Sequence, residues 1–107
     1  MIRIKNEGDR ARVRGVTPET VLAINIAYSV FRDMFTSDMT ITSVGEIGYY
    51  RKKGSKHMSG NAFDIRTYGL AVKEQENLVY ELGNALGDDY DVVLESNHIH
   101  VEYDPEP

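Results

Sequence analysis

The stretch Asp91-Val92-Val93-Leu94-Glu95-Ser96-Asn97-His98-Ile99-His100-Val101-Glu102-Tyr103 holds two strand-like runs, Asp91 to Glu95 and His98 to Tyr103, joined by Ser96-Asn97. Two-residue connections are common in hairpins, and Asn tolerates the left-handed backbone that such turns ask for. This register pairs Leu94 with Ile99 and Val92 with Val101, so one face is apolar. It pairs Glu95 with His98, Val93 with His100 and Asp91 with Glu102, so the other face is polar with Val93 as its one apolar member. Turn and hydrophobic pattern agree on one register.

Upstream, Ala62 to Tyr68 reads as a third strand. Period two sets Phe63 and Ile65 toward the core and Ala62, Asp64 and Arg66 on the polar face. Leu70 to Leu86, between these strands, has helical spacing, with Leu78, Leu82, Ala85 and Leu86 on one face and Gly87 as the C-terminal cap. Met39 to Val44 is β-branched and reads as a strand. Before it, Thr17 caps a helix from about Pro18 to Phe35. Proline suits its first position, and Val21, Ile24, Tyr28, Phe31 and Phe35 form a core-facing stripe. Met1 to Arg14 reads as a small edge hairpin: Ile2 and Ile4, a Gly8-Asp9 turn, then Val13. The whole predicts one α+β domain over residues 1–107, a small and mostly antiparallel sheet with helices packed on one face.

Composition narrows the partners. The 107 residues suit one core, and 41% hydrophobic with 27% charged residues describes an ordinary globular chain. A net charge of −5 lacks the basic footprint of a nucleic-acid binder. The chain has no cysteine, which excludes disulfides and thiolate metal sites. No run is apolar and long enough for a signal peptide or a membrane span, so synthesis in the cytoplasm is expected, with any action outside depending on another delivery route. A monomer is expected.

All three histidines fall in two stretches, Ser55-Lys56-His57-Met58-Ser59-Gly60-Asn61-Ala62-Phe63-Asp64 and Glu95-Ser96-Asn97-His98-Ile99-His100. Imidazole and carboxylate are usual zinc ligands, and a catalytic zinc takes three of them with one position open. His57, Asp64 and His100 form such a set, with Glu95 and His98 left for proton transfer. Arg66 shares the polar face with Asp64. Arg51-Lys52-Lys53 reads as a solvated loop, or alternatively as a cationic rim for a carboxylate-bearing substrate. Glu102 reads as a solvated strand residue, or alternatively as a support that orients a ligand histidine.

Ser55-x-His57-x-x-Gly60-x-Ala62-x-Asp64 followed by His98-x-His100 resembles the M15-type zinc peptidases. These include D-alanyl-D-alanine carboxypeptidases, vancomycin-resistance D,D-dipeptidases and phage L-alanyl-D-glutamate endolysins; the Hedgehog signalling domain shares their metal scaffold. The wording is most similar to short phage members, and the motifs span about a quarter of the chain. The resemblance implies one zinc ion on His57, Asp64 and His100, and hydrolysis of peptidoglycan stem peptides or cross-links. It implies that Ser55 and Gly60 shape the loop around the first ligand and that His98 lies near the water and the oxyanion. Under it, Glu95 is the expected base, His98 the oxyanion donor, and Arg66, Ser55 and Arg51 the expected substrate contacts. Two positions depart. Asn97 stands where many members carry Glu or Asp, and Ser43-Val44-Gly45-Glu46 lacks the arginine of the family's substrate clamp. The alternative is a non-catalytic zinc-binding structural or interaction domain of a phage or bacterial protein.

Overall fold

A computed structural model of the chain describes residues 1–4, 16–44 and 60–105. Five strands and two helices follow one another as β1 (Ile2–Ile4), α1 (Pro18–Met34), β2 (Met39–Val44), β3 (Ala62–Arg66), α2 (Val72–Leu86), β4 (Tyr90–Leu94) and β5 (His98–Tyr103). The strands form one sheet in the order β1-β2-β3-β5-β4. All contacts between neighbours are antiparallel except β1 with β2. The fold is thus α+β with a mostly antiparallel sheet.

Local chemistry sets each helix. Thr17 caps α1, its side chain accepting from the Thr20 amide at 3.3 Å, and Pro18 occupies the first turn. The helix ends at Phe35, whose amide donates to the Phe31 carbonyl at 2.8 Å. α2 begins at Ala71, where Glu74 Oε1 accepts from the Ala71 amide at 2.8 Å, half of a capping box. It stops at Gly87, which takes a φ of 84°, left-handed backbone that glycine adopts without a Cβ clash.

The core lies between the sheet and both helices. Ala23, Ala27 and Phe31 of α1 and Leu78 and Leu82 of α2 pack with Met39, Ile41, Phe63, Ile65, Ile99 and Val101. The opposite sheet face carries the polar side chains. Ala85, expected on the buried face of α2, is exposed. It stands at the margin of the stripe formed by Leu78, Leu82 and Leu86, beside Leu78. On β4 the apolar face is only half covered: Leu94 is exposed and Val92 intermediate, because β4 is the outer strand.

Two departures concern register. Ile2–Ile4 pairs in parallel with Met39–Ile41, and α1 supplies the long crossover that parallel neighbours need. The expected hairpin partner around Val13 and the Gly8-Asp9 turn lie outside the described residues. In the β2–β3 pair, Ile41 faces Ile65 while Ser43 faces Asp64, so Thr42 is an extra residue in a β-bulge.

Candidate metal centre

β3 and β5 pair without a break, from Ala62 with Glu102 to Arg66 with His98. Asp64 and His100 are direct partners on the polar face. The β4–β5 register is the one read from the hairpin, with Leu94 opposite Ile99, Val93 opposite His100 and Asp91 opposite Glu102. The Glu95 amide closes the turn on the His98 carbonyl at 2.8 Å.

The His100 imidazole is held through both nitrogens. Nδ1 lies 3.0 Å from Asp64 Oδ1, and Nε2 lies 2.9 Å from Glu102 Oε1. Asp64 is buried, 7% exposed, and a buried carboxylate requires a partner of this kind. The hydrogen bond to Asp64 is the largest of the effects that raise His100 from its ordinary 6.5 to about 9; burial opposes it and Glu102 adds to it. At neutral pH the metal-free ring is therefore a cation that donates from both nitrogens.

His98 stands beside this pair. Its Nε2 lies 3.8 Å from the same Asp64 Oδ1, beyond a direct hydrogen bond. Its Nδ1 lies 2.7 Å from Asn97 Oδ1. Each histidine thus has one nitrogen tied to an oxygen acceptor and the other turned to one carboxylate oxygen. Across the sheet, Ser43 is buried opposite Asp64, set there by the bulge at Thr42.

Two of the expected donors, Asp64 and His100, stand close enough to share an ion. Two ligand atoms on a tetrahedral zinc lie about 3.3 Å apart, given bonds of about 2.0–2.1 Å. Asp64 Oδ1 and His100 Nδ1 stand at 3.0 Å, close to that spacing and also an ordinary hydrogen bond. Glu102 on the second nitrogen is the partner that metal-bound histidines usually have. His57, the expected third ligand, lies outside the described residues, as do Ser55 and Arg51.

Glu95 is exposed just beyond β4, and its carboxylate makes no hydrogen bond or ion pair among the described residues. Arg66 pairs across the ladder with His98 and lines a small cleft with Phe31, Leu70, Ser37, Asp38 and Thr40. It too makes no ion pair among the described residues.

A second acidic group was not singled out in the sequence. Asp91, Glu102 and Asp104 bring carboxylate oxygens within 4.8 Å of one another, and such a group can in principle hold a metal ion. The pairing of Asp91 with Glu102 was legible in the hairpin register; the approach of Asp104 was not, because it follows the last strand. Glu102 itself carried a readable signal, two residues from His100 on one strand face. No protein-family model and no curated protein matches the chain.

Proposed function

We propose that the protein is a zinc-dependent peptidase acting on bacterial peptidoglycan peptides, with His57, Asp64 and His100 as the metal ligands. The observation that carries this reading is the His100 ring held between Asp64 and Glu102. Glu102 fixes the ring through Nε2, so Nδ1 is the atom offered to an ion beside Asp64. His57 stands three residues before Gly60, a span of at most about 11 Å of chain. Gly60 itself is fixed where its carbonyl accepts from the Thr17 amide at 3.1 Å. A zinc ion supplies Lewis acidity, acidifying water and polarising a carbonyl.

The other roles belong to the chain's own side chains. His98 and Glu95 flank the turn and are the groups able to take and return a proton. Arg66, with Ser55 and Arg51 from the preceding segment, holds a substrate carboxylate by charge-assisted hydrogen bonds. The reaction class is hydrolysis of an amide in a stem peptide or cross-link, as D,D-carboxypeptidase or L-Ala–D-Glu endopeptidase.

The test is metal content of the purified protein beside His57→Ala, followed by peptidoglycan digestion and mass spectrometry of the fragments. One zinc per chain, lost in the variant, with new amine and carboxylate termini is the expected result. A second reading, a non-catalytic zinc-binding domain of a phage or bacterial protein, is favoured by Asn97, which cannot act as a base. One zinc with no cleavage of any wall type establishes that reading instead. Absence of metal from both proteins refutes the two together.

A further inference from the structure

We infer that the outer edge of β4 is a strand-addition site for an extended segment of a partner protein, one with basic side chains two residues to either side of an aliphatic residue. The inference does not depend on the zinc reading.

Among the described residues β4 has β5 on one side and no strand on the other. Backbone groups of an antiparallel strand turn to its two sides alternately. The Glu95 amide donates to the His98 carbonyl and the Asp104 amide to the Asp89 carbonyl, both at 2.8 Å. With the β4–β5 register, these bonds turn the backbone groups of Asp89, Asp91, Val93 and Glu95 toward β5. Val92 and Leu94 therefore point theirs outward, where no described backbone group meets them. Two N–H and two C=O groups are left on a strand that pairs with β5 without a bulge. Native edges are commonly guarded by proline, lysine, a bulge or shortness. Tyr90-Asp91-Val92-Val93-Leu94 has none of these and is of ordinary strand length. β1, three residues with Arg3 at its centre, is the guarded edge by comparison.

Side chains select the occupant. Val93 is 45% exposed on the polar face and Leu94 36% exposed on the other, so both sides of the edge offer apolar surface. Asp91 and Glu95 flank Val93 on the polar face, and neither makes an ion pair among the described residues. In an antiparallel addition, the residue opposite Val93 has its second neighbours opposite Asp91 and Glu95 and its first neighbours beside Val92 and Leu94. Opposite charges that face across strands stabilise the pair. The complementary segment is therefore basic, aliphatic, aliphatic, aliphatic, basic, bound by backbone hydrogen bonds and chosen by its alternate side chains.

A second copy of the chain fits less well. Antiparallel pairing about Val93 sets Asp91 opposite Glu95 twice, and pairing about Val92 sets Asp89 opposite Glu95 twice; like charges directly opposite destabilise a sheet. Pairing about Leu94 avoids this but sets Val92 and Asp91 against the turn residues Ser96 and Asn97. Each copy also carries a net charge of −5.

The experiment titrates the acetylated and amidated peptide Lys-Val-Val-Val-Lys into the full chain at low salt, followed by two-dimensional 15N–1H NMR of the backbone amides. Two comparison peptides are Glu-Val-Val-Val-Glu and the lysine peptide N-methylated at its second and fourth residues, which removes the donors that face β4. The amides of Val92 and Leu94 should move most and gain protection from deuterium exchange. Both comparison peptides should bind about tenfold more weakly or worse. Asp91→Asn should weaken the lysine peptide about 2–5-fold. Leu94→Pro removes an outward N–H without breaking a bond to β5 and should abolish the titration. Unmoved Val92 and Leu94 amides, or equal binding of either comparison peptide, would overturn the inference. So would concentration-dependent dimerisation of the free protein, seen by sedimentation and lost in Leu94→Pro, because it assigns the edge to a second copy. Chelator-treated protein serves throughout, so these outcomes are separate from those of the zinc and cleavage test.

Discussion

The His100 ring is the most constrained titrating group of the polar face. Asp64 contributes most to its raised value and Glu102 less, so the two carboxylates can be ranked by experiment. Asp64→Asn should lower the NMR titration midpoint of His100 by about 1–3 pH units, and Glu102→Gln should lower it less. An equal or larger drop in Glu102→Gln would reverse the ranking. The same ring makes metal-free stability depend on pH. Its folded-state value, about 9, lies above the ordinary 6.5, so the folded protein holds the proton more tightly. The stabilisation is complete below 6.5 and is lost as pH rises to about 9. The ceiling is on the order of 3 kcal/mol, from 1.36 kcal/mol per pH unit. The check is urea unfolding of chelator-treated protein across that range, beside His100→Gln. The variant should lack the decline, and a decline of the same size in both would assign it to other groups. If zinc binds as proposed, it competes with the proton for Nδ1, and its uptake near neutral pH should release a proton.

Elements decide which side chains meet, and the bulge in β2 shows how. With Thr42 as the extra residue, Ser43 faces Asp64 and Val44 faces Phe63 on the core side. Removing Thr42 leaves a regular strand with Ile41, Ser43 and Val44 in the same alternation and the same pairings. Deleting Thr42 should therefore preserve the cooperative fold. Deleting Thr40 should not, because it turns fully buried Met39 to the polar face. Circular dichroism melts of the two deletions separate these outcomes; a Thr42 deletion that unfolds would mean that the bulge is needed for the fold itself. The bulge was not legible beforehand, since Thr42-Ser43-Val44 reads as plain strand. The β4–β5 register was legible in full, because Leu94, Ile99, Val92 and Val101 admit one alignment across Ser96-Asn97. The helix ends were legible to within a residue or two, from Thr17, Pro18 and Gly87. β1 was legible as an edge strand, but not its parallel partner: two isoleucines mark a strand and carry no information on what lies beside it. In the candidate site, the facing of Asp64 and His100 needed the β3–β5 alignment, which no turn specifies. The Asn97–His98 contact needed a side-chain rotamer.

At the scale of the whole molecule, a few contacts distant in sequence join the elements. The Tyr90 hydroxyl donates to the Glu19 carbonyl at 2.8 Å, fastening the start of α1 to β4 across 71 residues. The Tyr90 ring also packs on Tyr103, with centroids 5.2 Å apart. Burial raises the Tyr90 phenol above its ordinary value, so it stays a donor throughout the neutral range. Tyr90→Phe keeps the ring and removes the bond, and should cost about 1 kcal/mol in urea unfolding; no loss would show that water serves the carbonyl equally well. Gly60 and Asn61, the residues entering β3, are fixed by the amides of Thr17 and Tyr103 at 3.1 and 2.8 Å. None of the helices among the described residues is long and apolar enough to cross a membrane. The interior position of β3, bonded to β2 on one side and β5 on the other, has a consequence for kinetics. Its amides exchange with deuterated solvent only when the sheet itself opens, whereas those of β1 can fray at the edge. An ion that joins Asp64 to His100 spans the β3–β5 ladder. It must slow β3 exchange by the full ratio of bound to free protein, leaving the fraying of β1 as fast as before.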